Sequence, residues 1–217
     1  LPDTASQEGI DQRNAAFCYP AELAHGFFHG LLSSPAPLDG IFLPYFKALP
    51  TYSENTSSQV CPIIQGETFV LQSTFKKEIN ELKQKGTKIL TPLIDLTAGD
   101  HAAKAPLVKT AVQLGIDKPR AARAFETAIK NQHQCVTEIR NLGQEVLSDL
   151  AGDPDKIAVV LFGRPYNAFV EEAHMGVPHK LASRGIPVLP FDSLDFEKES
   201  SKAHMYWGMG QRLIMAA

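Results

Sequence analysis

The chain has 217 residues, 44% of them hydrophobic and 21% charged, with a formal net charge of −3. That is long enough for one large domain or two small ones and ordinary for a globular protein. A net charge of −3 gives no reason to expect nucleic acid, which needs a basic face, and no apolar run approaches the roughly 20 residues of a membrane span.

Residues Pro20 to Leu32 carry apolar side chains at helical spacing, with a proline in the first turn, where it is tolerated. Asp39-Gly40 leads into a short strand, Ile41-Phe42-Leu43-Pro44. Tyr45 to Val60 is rich in Ser, Thr, Asn and Pro and reads as one long loop. Gly66 to Lys85 reads as a helix ended by Gly86, followed by a single strand from Lys88 to Ile94. From Lys104 to Leu150 the pattern is helical, broken at Gly115 to Pro119, and the second helix is unusually long. The continuous apolar run Ile157 to Phe162 then predicts a parallel strand covered on both faces. A tight loop, Gly163 to Asn167, follows it. Glu171 to Arg184 reads as helical with an interruption at Gly176 and Pro178, Ile186 to Pro190 as a strand, and Ser200 to Ala217 as a final helix. The fold class is therefore α/β with parallel sheet and a helical segment between two lobes. The lobes are placed at residues 1–100 and 153–217, with the helical segment at 101–152.

Three cysteines are an odd number, and their spacing forms no disulfide framework, which reads as a reducing, cytoplasmic setting. Cys18 opens a helix in Cys18-Tyr19-Pro20, and Cys61 closes the long loop in Cys61-Pro62. Thiols at helix starts favour the thiolate that a metal or an electrophile needs. The competing reading is two unrelated small hydrophobes, since free cysteine is often buried. Cys135, inside the long helix, reads as packing. His25 and His29 share one helix face, but Gly26 stands where a zinc-protease helix carries its glutamate. Gly163-Arg164-Pro165-Tyr166-Asn167 follows a strand, where a loop can hold an anion and Arg164 can add a bidentate contact; the alternative is a turn with a solvated arginine. The nucleotide motifs GxxxxGK[ST] and GxGxxG are absent, as is GxSxG.

Cys18 to Gly26, Asp39 to Pro44, Cys61-Pro62, Gly163 to Asn167 and His204-Met205-Tyr206-Trp207-Gly208-Met209-Gly210-Gln211 occur in the order of one family. From Phe17 onward the chain resembles the dehydratase-like segment of the large activase-related proteins. These are similar to 2-hydroxyacyl-CoA dehydratase subunits and double-cubane-cluster proteins fused to an ATP-dependent activator. The resemblance implies Rossmann-like α/β lobes and an iron–sulfur cluster in a cleft, with Cys18 and Cys61 at two ligand positions. It implies low-potential electron transfer, with a 2-hydroxyacyl-CoA-type thioester as candidate substrate. His25 would stand behind the ligands, and Arg164, Tyr166 and Asn167 would line the cleft. The partners it implies are the activator domain of the same or another chain and a second copy in a homodimer. The start at Leu1-Pro2 and the stop at Met215-Ala216-Ala217 read as an excised piece, with a third cysteine ligand expected beyond Ala217. The alternative from another class is a docking or regulatory domain that keeps the fold without a cluster.

Overall fold

A computed structural model describes residues 9, 11, 12, 18–52 and 55–217. Leu1, Pro2 and Phe17 of the sequence reading lie outside the described residues. The chain divides into two compact units, Leu1–Leu49 with Gln59–Phe125, and Pro50–Ser58 with Glu126–Ala217.

The first unit opens with helix α1, Tyr19–Leu32. Two strands follow, β1 (Gly40–Phe42) and β2 (Tyr45–Ala48). Helices α2 (Pro62–Thr74) and α3 (Lys76–Gln84) precede β3 (Lys88–Leu90) and β4 (Leu93–Asp95). Strand β1 pairs in parallel with β3, and β2 with β4. The two ladders lie along the same two stretches of chain. Leu43 N–H donates to Leu90 O and Tyr45 N–H to Pro92 O, bridging the gap between them. Pro44 and Pro92 carry no N–H, so each stretch is interrupted there rather than running as one strand.

Two expectations change here. Tyr45 to Val60 is not all loop, because Tyr45–Ala48 is a paired strand and Ala48 bridges Gln59 in antiparallel sense. The helix expected from Gly66 begins at Pro62, because proline fits the first helical position, and it breaks at Phe75 into α2 and α3. The apolar faces of α1, β1, α2 and α3 meet in one cluster: Phe28, Ile41, Leu71, Phe75 and Ile79. Thr68 Oγ1 donates to Pro44 O at 2.6 Å, tying α2 to the proline break.

A single-turn 3₁₀ segment, Asp100–Ala103, leads into α4 (Lys104–Gln113). Gly115, at φ +90°, turns the chain as an L-residue rarely can. Asp117 then accepts from the Arg120 N–H at 2.9 Å and starts α5, which runs from Lys118 to Ala151. The division between the units falls within α5. Cys135 on this helix is exposed, so it is not a packing residue. Gly143 comes so close to Ser193 O that an added Cβ would lie 2.2 Å from it, so no larger residue fits without a shift.

The second unit holds β5 (Val159–Leu161), paired in parallel with β6 (Val188–Pro190). Between them lie three short helices, α6 (Pro165–Ala168), α7 (Glu171–His174) and α8 (Val177–Ala182). Strand β5 is half-buried throughout, and Ile157 and Phe162 at its flanks are exposed, so it is not covered on both faces as expected. The last helix, α9, is Gly208–Ala216 rather than Ser200 to Ala217, because His204 sits at φ +63°, outside right-handed helix space. Phe191, Phe196 and Met215 form the core of this unit. The architecture is mixed helix and short parallel strands, an α/β chain.

Candidate functional site

Cys18 and Cys61 occupy the same local position on two different helices. Cys18 is the N-cap of α1 with Pro20 in its first turn; Cys61 is the N-cap of α2 with Pro62 next to it. Each backbone C=O accepts a first helical bond, Cys18 from Glu22 N–H at 3.2 Å and Cys61 from Gln65 N–H at 3.0 Å. Neither thiol caps its helix. Cys18 is exposed and Cys61 half-buried, and both are free of disulfides. Helices α1 and α2 pack against each other. Cys61 is held in place through the residue before it. Val60 N–H donates to Lys47 O at 3.0 Å, and Gln65 Nε2 reaches back to Val60 O at 2.8 Å.

His25 is fully buried between these helices. Its Nδ1 lies 2.8 Å from Ala21 O and 3.7 Å from Glu67 Oε1 on α2. Glu67 is the residue that sequence reasoning missed. Burial pushes its carboxyl above the ordinary carboxylate range, and the attraction of His25 offsets this only in part. A glutamate five residues into a helix reads as solvent-facing, so nothing local in the sequence marks it.

Among the described residues, no group of three or more His, Cys, Asp and Glu side chains is placed to hold a metal ion. Cys18, Cys61 and His25 therefore do not form a three-ligand zinc set. Two thiolates are suitable donors for iron, but a cluster held by cysteines commonly takes four, so the described residues do not complete one. No chemical step is derived through such a group.

Arg164, Tyr166 and Asn167 lie in the second unit. Arg164 is the N-cap of the four-residue α6, and its Nη1 donates to Tyr166 Oη at 2.9 Å. Asn167 N–H bonds back to Arg164 O at 2.8 Å, closing a single turn. The arginine is exposed, with its guanidinium engaged by its neighbour.

The motif from His204 to Gln211 serves a structural purpose. Gln211 is fully buried, and its Nε2 donates to Ser57 O at 2.5 Å and Met205 O at 2.7 Å. That amide pins the 55–58 segment to the turn before α9.

A family model described as the CoA enzyme activase uncharacterised domain (DUF2229) matches residues 3–194. The chain belongs to this family. No curated protein matches the chain, and no solved structure does. The activase-related part of the sequence resemblance thus stands, and the domain is one associated with CoA enzyme activases. No helix among the described residues is long and apolar enough to cross a membrane.

Proposed function

We propose that this activase-family domain is a dehydratase-like electron-transfer module, and that it contributes Cys18 and Cys61 as two thiolates to an iron–sulfur site. The remaining ligands come from outside the described residues. The observation that carries this reading is the matched pair of cysteines. Each thiol stands at the start of a proline-opened helix, neither is used for capping, and the two helices pack together. Helix starts favour bound anionic sulfur, and exposed thiols there remain accessible to metal. The buried His25–Glu67 contact between the same helices fixes their relation, a positioning role for His25. Short parallel strand pairs followed by helices support Rossmann-like lobes for this module.

On this reading the partners are an ATP-dependent activator domain, in the same or another chain, and an acyl-CoA substrate. A homodimeric assembly in the cytoplasm fits the same picture. Arg164, Tyr166 and Asn167 would serve the substrate side. The second reading is a docking or regulatory domain without a cluster. It is favoured by the absence of a closed ligand set among the described residues.

The test is anaerobic iron and sulfide analysis with absorption and EPR spectra, on this chain and on the longer polypeptide that contains it. Iron bound by the longer form and lost in Cys18→Ala or Cys61→Ala supports the cluster. Because neither thiol caps its helix, both variants should fold. Iron absent from every form after reconstitution moves the function to docking.

A further inference from the structure

Away from the cysteines, the first unit carries an apolar groove of about 600 Å³ between α4 and the start of α5. Ala105, Val108, Val112 and Ala122 supply its apolar surface. Lys104, Lys109 and Lys118 also line it, and no acidic side chain does. Val112 is 46% exposed, so apolar surface is left open to water there. The charge of this stretch runs against that of the chain. Residues 104–124 hold five basic side chains and one acidic one, in a protein of net charge −3.

We propose that this groove binds a small amphipathic anion, a single apolar chain ending in a phosphate. The volume lies within the roughly 300–1,000 Å³ of small-molecule sites, and the apolar lining with a few polar groups is their usual composition. From Lys104 to Val112 the groove follows about 12 Å of helix. A docked protein would need a far larger face, of roughly 800 Å² per partner. Lysine ammonium groups are compact charges well suited to phosphate, which carries more negative charge than a carboxylate. The apolar chain would lie over Ala105 and Val108, with the phosphate between the lysines. This site shares no residue with the cysteine pair, so the two readings stand or fall separately.

The experiment is calorimetric titration of the full chain with decyl phosphate below its micelle concentration, with decanoate and decanol alongside. One saturable site is expected, with decyl phosphate tightest and decanol at least about tenfold weaker. The double variant Lys109→Gln/Lys118→Gln should weaken decyl phosphate roughly tenfold. Ala105→Trp, at an exposed position, should fill the groove and abolish binding. Should a variant fail to fold, the wild-type protein still decides: its affinity must fall as salt rises. Equal binding of decanol, no saturable site, or an affinity indifferent to salt would each overturn the proposal. So would binding to anionic vesicles that survives Ala105→Trp while monomeric decyl phosphate does not bind.

Discussion

Both units bury polar side chains among apolar ones, but they bury different chemistry. Around Phe28 and Phe75 lie the fully buried His25 and, 3.7 Å from it, the half-buried carboxyl of Glu67. In the unit built on Phe191 and Met215 the buried polar groups include the serines Ser58 and Ser193 and Gln211, an amide held by two backbone carbonyls. An amide keeps its hydrogen bonds at any pH. A buried carboxylate answers a change of pH by changing its charge. The first unit should therefore respond to pH through its core as well as its surface, and the second through its surface. Glu197 shows the latter: hydrogen-bonded by Arg140 at 2.6 Å, its carboxyl is held below the ordinary range.

The largest effect should come from the apolar side of the first core. Phe75 is 2% exposed, ends α2, starts α3, and its ring centroid lies 5.4 Å from that of Phe28 and 6.3 Å from that of His25, tilted against both. Phe75→Ala should cost about 3–5 kcal/mol in urea unfolding, because the cavity left has three elements around it. A loss under about 1 kcal/mol would mean that this cluster does not hold the unit together. Next comes Gln211→Ala, which strands the carbonyls of Ser57 and Met205 and should cost about 1–3 kcal/mol. That cost should be the same at acid and neutral pH. A cost that varies with pH would remove the contrast between the units.

Glu67→Gln tests the other half of the comparison. The folded pKa of Glu67 is raised, so the folded state holds its proton more tightly than the unfolded state. Its contribution is fully present below the ordinary carboxylate value and is lost as pH rises through the raised one. Thermal melts from about pH 4 to about pH 8 should show wild type and variant alike at the acid end. The variant should be the more stable at the neutral end. A variant less stable at neutral pH would mean that the ionised glutamate and His25 support the fold as a pair.

How far the sequence discloses these arrangements depends on how local their causes are. Helix α1 is legible because Cys18, Pro20 and the apolar positions Ala21 and Phe28 lie within three turns. The strand Tyr45–Ala48 is not, because its pairing with Leu93–Asp95 is set by a partner far along the chain while Ser, Thr and Pro surround it. The start of α2 was hidden by Pro62, a residue that marks a loop or a first helical turn equally well. Cys18 is legible as a helix start, whereas Cys61 reads as the end of a loop, and the packing of their two helices is not legible at all. Glu67 and Gln211 are the plainest cases. Each looks like a solvent-facing polar residue, and its burial depends on Ala21–His25 or on Ser57, remote positions that no window of sequence joins.

The smallest effect, and the one that runs in the opposite sense, belongs to Asp95 at the end of β4. It accepts from Lys47 Nζ at 2.7 Å, Thr97 Oγ1 at 2.6 Å and Thr97 N–H at 3.0 Å. The Lys47 hydrogen bond first, then those from Thr97, lower its carboxyl to about 2. Its contribution is therefore present above the ordinary aspartate value of 3.8 and is lost as pH falls through about 2. The pair is open to water, with Lys47 47% and Asp95 33% exposed, so solvent screens it. Asp95→Asn should cost under about 1 kcal/mol at neutral pH, and less still in high salt. Wild type and variant should converge at the acid end of the titration. Within one unit, then, acid removes the support of the exposed carboxylate and relieves the cost of the buried one. The double variant Asp95→Asn/Glu67→Gln should therefore be flatter with pH than either single variant. A double variant that keeps the full wild-type slope would assign the pH response of this unit to groups other than these two carboxylates.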